Sequence, residues 1–95
     1  MRTLRTELLR YDPYLVYAVL RIAYERGPVS VRELFEEYRA RTGVRISYYK
    51  LRTHVEYAAS KGLLQVSGVK PAYLSVTEKG KLYIVRFESL LSLLS

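Results

Sequence analysis

Between Arg45 and Lys61 the sequence gathers four cations, Arg45, Lys50, Arg52 and Lys61, against one carboxylate, Glu56. Within that stretch Tyr48, Leu51, Val55, Ala58 and Ala59 recur at helical spacing. If those five face a core, Tyr49, Lys50, Arg52, Thr53, Glu56 and Tyr57 stand on the opposite side of the same helix. Such a face suits the major groove of double-stranded DNA. The groove admits one helix, and Arg or Lys donates there to guanine O6 and N7. Tyr and Thr suit phosphate oxygens or the thymine methyl. Arg45, in the turn ahead of the helix, suits a phosphate. So do the first amides of the helix, which begins at Ser47. The expected DNA-binding set is therefore Arg45, Ser47, Tyr49, Lys50, Arg52 and Thr53, joined by Lys70 from a later turn. A solvated amphipathic helix would carry a similar pattern. Two exposed aromatics beside cations, Tyr49 and Tyr57, favour a partner surface.

Other chemistries find little support. The chain has no Cys, which removes thiolate metal sites and disulfides, and its one His, His54, has no carboxylate cluster beside it. His54 falls at the edge of the inward face and reads as a structural imidazole. No phosphate loop, nucleophile elbow, HExxH or paired-carboxylate motif occurs. Glu36 and Glu37 are adjacent on a helix and so point different ways. Neither an enzyme, a metal nor a cofactor is expected. Sixteen Lys and Arg against nine acidic residues give a net charge of +7, a balance suited to a polyanion. No apolar run approaches the ~20 residues of a membrane span, and Met1–Arg10 lacks the apolar core of a signal peptide. The expected location is cytoplasmic, at the nucleoid. The absence of Asn and Cys beside abundant Arg, Glu and Tyr suggests a thermophilic, archaeal source.

The elements around this helix follow from local signals. Asp12 caps a first helix that has Pro13 in its first turn and ends at Gly27-Pro28. Leu15, Val16, Val19, Ile22 and Ala23 form one apolar face; Tyr17, Leu20 and Tyr24 form another, which calls for cover on both sides. Val29–Val31 is a short β-prone run. Ser30 and Glu33 also match a capping box, opening a second helix to about Thr42, with Gly43 suited to its C-terminal turn. The third helix, Ser47–Ser60, completes a helix-turn-helix. Leu63–Val66 and Ala72–Val76 flank a Gly/Pro turn and predict a hairpin. Lys70 at its tip either touches a phosphate or simply occupies a tight turn. Thr77 then caps a last helix over Glu78–Leu94.

That last helix carries Gly80, Tyr83, Phe87, Leu90 and Leu94 at alternating three and four spacing, a short coiled-coil seam widened by Leu82, Ile84, Leu91 and Leu93. Either the helix folds back over its own core, or it forms a homodimer interface. The surplus apolar faces favour the homodimer. Its expected contacts are Tyr17, Leu20 and Tyr24 with Tyr83, Phe87, Leu90, Leu91 and Leu94. Residues 1–11 form a basic N-terminal arm with Arg2, Arg5 and Arg10, which either lies along DNA or frays into solvent. The domain proper is 12–95, with 78–95 as the dimerisation helix.

The stretch YYKLRTHVEYAASKGLLQV, followed by AYLSVTEKGKLYIVRFESLL, resembles small archaeal winged-helix proteins and the winged-helix cores of the MarR and PadR regulator families. The likeness rests on Lys61–Leu64 closing the recognition helix and Val76–Gly80 opening the last one, and it covers about residues 12–95. It implies an α+β, mainly helical winged helix-turn-helix in the order helix, short strand, helix, helix, β-hairpin wing, helix. It also implies dimerisation through the terminal helices and duplex binding through Ser47–Thr53 and the wing. The role expected is a dimeric transcriptional regulator. The alternatives are an architectural chromatin protein with little sequence preference and a winged-helix protein-interaction module.

Overall fold

The computed structural model describes residues 11–95. Among these residues, four helices and one antiparallel hairpin follow in the order α1 (Pro13–Arg26), α2 (Val31–Thr42), α3 (Tyr48–Ser60), β1 (Leu64–Ser67), β2 (Tyr73–Val76) and α4 (Glu78–Leu94). Arg2, Arg5 and Arg10 of the expected N-terminal arm lie outside the described residues.

Each helix starts where a short polar side chain satisfies amides that the helix cannot pair internally. The Asp12 carboxylate accepts from the Tyr14 amide (2.9 Å), with Pro13 directly after it. Ser30 accepts from the Glu33 amide (3.1 Å), and the Glu33 carboxylate accepts from the Ser30 amide (2.9 Å). Ser47 accepts from the Lys50 amide (3.0 Å). Thr77 accepts from the Gly80 amide (3.0 Å), and its hydroxyl donates to the Gly62 carbonyl (2.6 Å). At the far end of α2, Gly43 takes a left-handed backbone (φ 69°), where a side chain would be strained.

The hairpin pairs Leu64 with Val76, Gln65 with Ser75, Val66 with Leu74 and Ser67 with Tyr73. The run expected as a strand at Val29–Val31 contracts to one bridge, Val29 with Leu74, held by bonds of 3.1 and 2.8 Å. Two commitments compete for these residues. Ser30 is already the cap of α2 and Val31 its first residue, so Val29 alone remains free to pair.

α1 runs through the middle of the core. Leu15, Val16, Val19, Leu20, Ile22 and Ala23 are all buried there, beside Val29, Leu34, Leu51, Val55, Leu74 and Ile84 of the surrounding elements. This corrects the expectation for Leu20. It is 0 % exposed within the single chain, so it belongs to the chain's own core and not to a surface that a second subunit would cover. The second face of α1 is covered by α4 folding back over it. The Tyr17 ring stacks on Phe87 (centroids 4.8 Å), and its hydroxyl donates to Glu88 (2.6 Å). The first turn of α4 seats directly against the base of the hairpin because residue 80 is glycine. A Cβ there would overlap the Leu63 carbonyl oxygen and stand 2.7 Å from a Val76 methyl.

Candidate nucleic-acid interface

The inward residues of α3 hold it against α1. Leu51, Val55 and Ala58 are buried, and so is His54, at 1 % exposure. The Asp12 amide donates to His54 Nε2 (2.9 Å), and His54 Nδ1 lies 2.8 Å from the Lys50 carbonyl. These two partners fix a neutral tautomer in which Nδ1 carries the hydrogen. The imidazole therefore ties α3 to the first residue ahead of α1. Tyr48, expected inward, is partly exposed. Its ring meets Phe35 of α2 edge-on (5.4 Å), because the first turn of α3 abuts α2 and not the core centre. Tyr57, expected outward, packs against the core and stacks on Tyr11 (4.1 Å). Residues ahead of α1 cover that side of α3, which periodicity within one helix does not reveal.

The opposite edge is open to solvent. Tyr49 is 72 % exposed, Lys50 and Arg52 are exposed, and Thr53 is half-buried. Thr53 spends its hydroxyl hydrogen on the Tyr49 carbonyl (2.9 Å). Ser47, the cap, keeps its own hydroxyl hydrogen available while its oxygen accepts from Lys50. Arg52 Nε contacts a Glu56 carboxylate oxygen (3.1 Å). Arg45 and Lys50 have no carboxylate partner among the described residues. The structure thus gathers Arg45, Ser47, Tyr49, Lys50, Arg52 and Thr53 onto the α2–α3 turn and the first half of α3. Lys70 stands apart, on the exposed β1–β2 turn.

One cation beside this edge, Arg39 of α2, lies outside the set expected from the sequence. Two of the three acids of α2 are committed elsewhere. The Ser30 amide, and then its hydroxyl, hold the Glu33 carboxyl below the usual range. Arg41 holds Glu37 below it by a hydrogen bond (2.8 Å), with Arg26 adding to the effect. Arg39 is left with no carboxylate partner among the described residues, its guanidinium 5.4 Å from the Phe35 ring centre. It lines a groove of about 420 Å³ with Glu36, Ala40, Gly43, Val44 and Arg45. The signal was available: the capping box and the i,i+4 spacing of Glu37 and Arg41 already assign two of the three acids.

Among the residues expected at a dimer interface, Tyr17, Tyr83 and Phe87 are half-buried in an aromatic stack of one chain. Phe87 lies 4.8 Å from Tyr17 and 6.1 Å from Tyr83, with Tyr14 edge-on at 5.4 Å. The Tyr17 phenol is pushed above its ordinary 10.0, first by the hydrogen bond to Glu88 and then by burial. Burial also raises the Tyr83 phenol. Tyr24, Leu90 and Leu94 are exposed and Leu91 is half-buried. A groove of about 510 Å³ runs beside α4, lined by Pro13, Leu63, Lys79, Leu82, Tyr83, Arg86, Phe87 and Leu90. Among the described residues no group of three or more metal-ligating side chains occurs, and no helix is long and apolar enough to cross a membrane.

No family model matches the sequence, and no curated protein matches it. Among solved structures, the chain is similar to the transcriptional regulator BldR from Sulfolobus solfataricus, with a TM-score of 0.67 and 21% sequence identity. The match covers 85% of this chain and 56% of that one, so the chain spans little more than half of the regulator's length. The likeness is one of fold: the mainly helical winged-helix arrangement, with its antiparallel hairpin, is shared with a regulator of transcription.

Proposed function

We propose that this chain binds double-stranded DNA as a transcriptional regulator, with the exposed edge of α3 in the major groove. One observation carries the reading. The cations at the start of α3 face solvent on a helix that the core and His54 hold rigidly from behind. Lys50 and Arg52 take base edges or the phosphates beside them, and Arg45 and Ser47 take phosphates ahead of the helix. Tyr49 and Thr53 supply apolar and hydrogen-bonding contacts, and Lys70 of the wing reaches the flanking backbone. The structural likeness to a transcriptional regulator supports this role, as does the MarR- and PadR-like pattern of the sequence.

The working unit is a homodimer joined through α4. Leu90, Leu91 and Leu94, with the open edges of Tyr83 and Phe87, supply the contact, and Tyr24 lies at its margin. A two-fold dimer sets its recognition helices about 34 Å apart, one turn of DNA. The protein acts at the cytoplasmic nucleoid, without metal, cofactor or catalytic activity. Ion pairs joining Glu88, Arg21, Glu25, Arg41, Glu37 and Arg26 across three helices support the thermophilic, archaeal source that composition suggests.

Selection from a random-sequence duplex pool at two salt concentrations tests this function. A regulator enriches a palindrome with half-sites one helical turn apart. Tight binding without enrichment that collapses in salt identifies an architectural protein. Absence of binding at both salts refutes the DNA reading and points to an interaction module.

A further inference from the structure

We infer that Glu56 is a positioning residue for base readout, holding the Arg52 guanidinium so that it donates end-on to a guanine. The inference rests on the reading of α3 as the groove helix and assigns its specificity to one pair of side chains.

Glu56 is the one acid between Gly43 and Val76. It is placed on the edge of α3 that carries the cations, where a carboxylate opposes the approach of phosphates. Four other glutamates of the described chain have structural work, while Glu78 pairs with Lys81 of its own helix. Glu33 closes the capping box, and Glu25, Glu37 and Glu88 join helices to one another. Glu56 does neither. It touches Arg52 of its own helix, and the two side chains are 62% and 64% exposed, a setting in which an ion pair contributes little to the fold.

The atoms involved explain what the pair does instead. Glu56 engages Arg52 through Nε (3.1 Å). Among the described residues this leaves both terminal nitrogens of the guanidinium without a partner. Their N–H groups point in parallel from the end of the fork, the geometry that fits guanine O6 and N7 together. A free arginine surrenders rotamer freedom when it binds, whereas one already held surrenders less. On entry into the groove the pair also loses water, which strengthens its own attraction. Lys50, two residues earlier and so around the helix from Arg52, has no such brace among the described residues and acts as a point charge, suited to a phosphate. The division of labour is therefore base reading by Arg52 and backbone attraction by Lys50.

The experiment compares wild type, Glu56→Gln and Arg52→Ala on two duplexes: the site enriched from the random pool, and a scrambled duplex of the same composition. Both substitutions are at exposed positions, and thermal unfolding checks that each variant is folded. For Glu56→Gln, affinity for the scrambled duplex is expected to hold or rise, because a negative charge has been removed. Affinity for the enriched site is expected to fall roughly tenfold, with the lost discrimination confined to one G·C pair per half-site. Arg52→Ala is expected to lose discrimination at that same pair.

Equal strengthening on both duplexes would make Glu56 a simple counter-charge and overturn the inference. Undiminished discrimination in Arg52→Ala would overturn it while leaving DNA binding intact. Tight binding without any enriched site would do the same, since no base readout would exist to support. Wild type that binds neither duplex would refute the DNA reading itself.

Discussion

Replacing His54 with Leu removes the tie between α3 and the start of α1 while keeping the site filled. The Nδ1–H bond to the Lys50 carbonyl and the Asp12 amide bond to Nε2 are both lost. Each is worth about 1 kcal/mol net. The Lys50 carbonyl still accepts within the helix. The Asp12 amide lies ahead of α1 and has no helical acceptor, so leaving it unpaired in a part-buried position costs about 1–3 kcal/mol. The apolar Leu recovers about 1 kcal/mol by burial. The net loss is about 2–4 kcal/mol, which for a domain of this size lowers the melting midpoint by roughly 10–30 °C. Thermal unfolding followed by circular dichroism at neutral pH, checked by urea titration, measures it. A loss below about 0.5 kcal/mol would refute the reasoning, because it would mean that the Asp12 amide finds another partner at no cost.

Three further outcomes follow from the same structure. Alanine at both Lys50 and Arg52 is expected to weaken duplex binding at least tenfold in a filter or anisotropy assay while the unfolding midpoint stays put, since both side chains are exposed. Leu94→Asp is expected to yield monomers by sedimentation with the fold retained, whereas Phe87→Asp should also destabilise the chain by exposing the Tyr17 and Tyr83 faces it stacks on. Acid should weaken the fold through Glu25 and Glu37. Arg41 lowers both carboxyls in the folded chain, so their contribution is complete above the ordinary value of 4.5 and disappears as pH falls through the lower folded values. A melting midpoint that is flat from pH 6 to pH 3 would contradict that account.

Local chemistry made the elements readable. Asp12, Ser30, Ser47 and Thr77 mark helix starts because a cap acts within three residues of itself, and all four caps are made as their spacing predicts. What covers a face is a different question, and there periodicity ran out. α1 is apolar nearly all round, so its composition alone does not distinguish a second subunit from α4 of the same chain. Leu20, Tyr17 and Phe87 turned on that ambiguity. Tyr57 is a parallel case: expected outward, it packs against the core and is covered by Tyr11, a contact from outside its own helix. The candidate interface was legible where it consists of consecutive residues, Arg45 to Thr53. It was not legible at Arg39, whose availability depends on which acids its neighbours have already engaged.

The stitch between Val29 and Leu74 gives the hairpin a fixed root and an unburdened tip. Its two hydrogen bonds fasten β2 to the corner between α1 and α2, and Leu74 itself is buried. Beyond Ser67 the turn residues Gly68, Val69 and Lys70 are exposed, with Val69 at 85 %. The anchoring and the outward reach of the wing are thus separable properties of one hairpin. A lengthened tip that keeps Gly68, where a Cβ would stand 2.8 Å from the Pro71 carbonyl oxygen, is expected to change how far the hairpin reaches while the helices behind it keep their places.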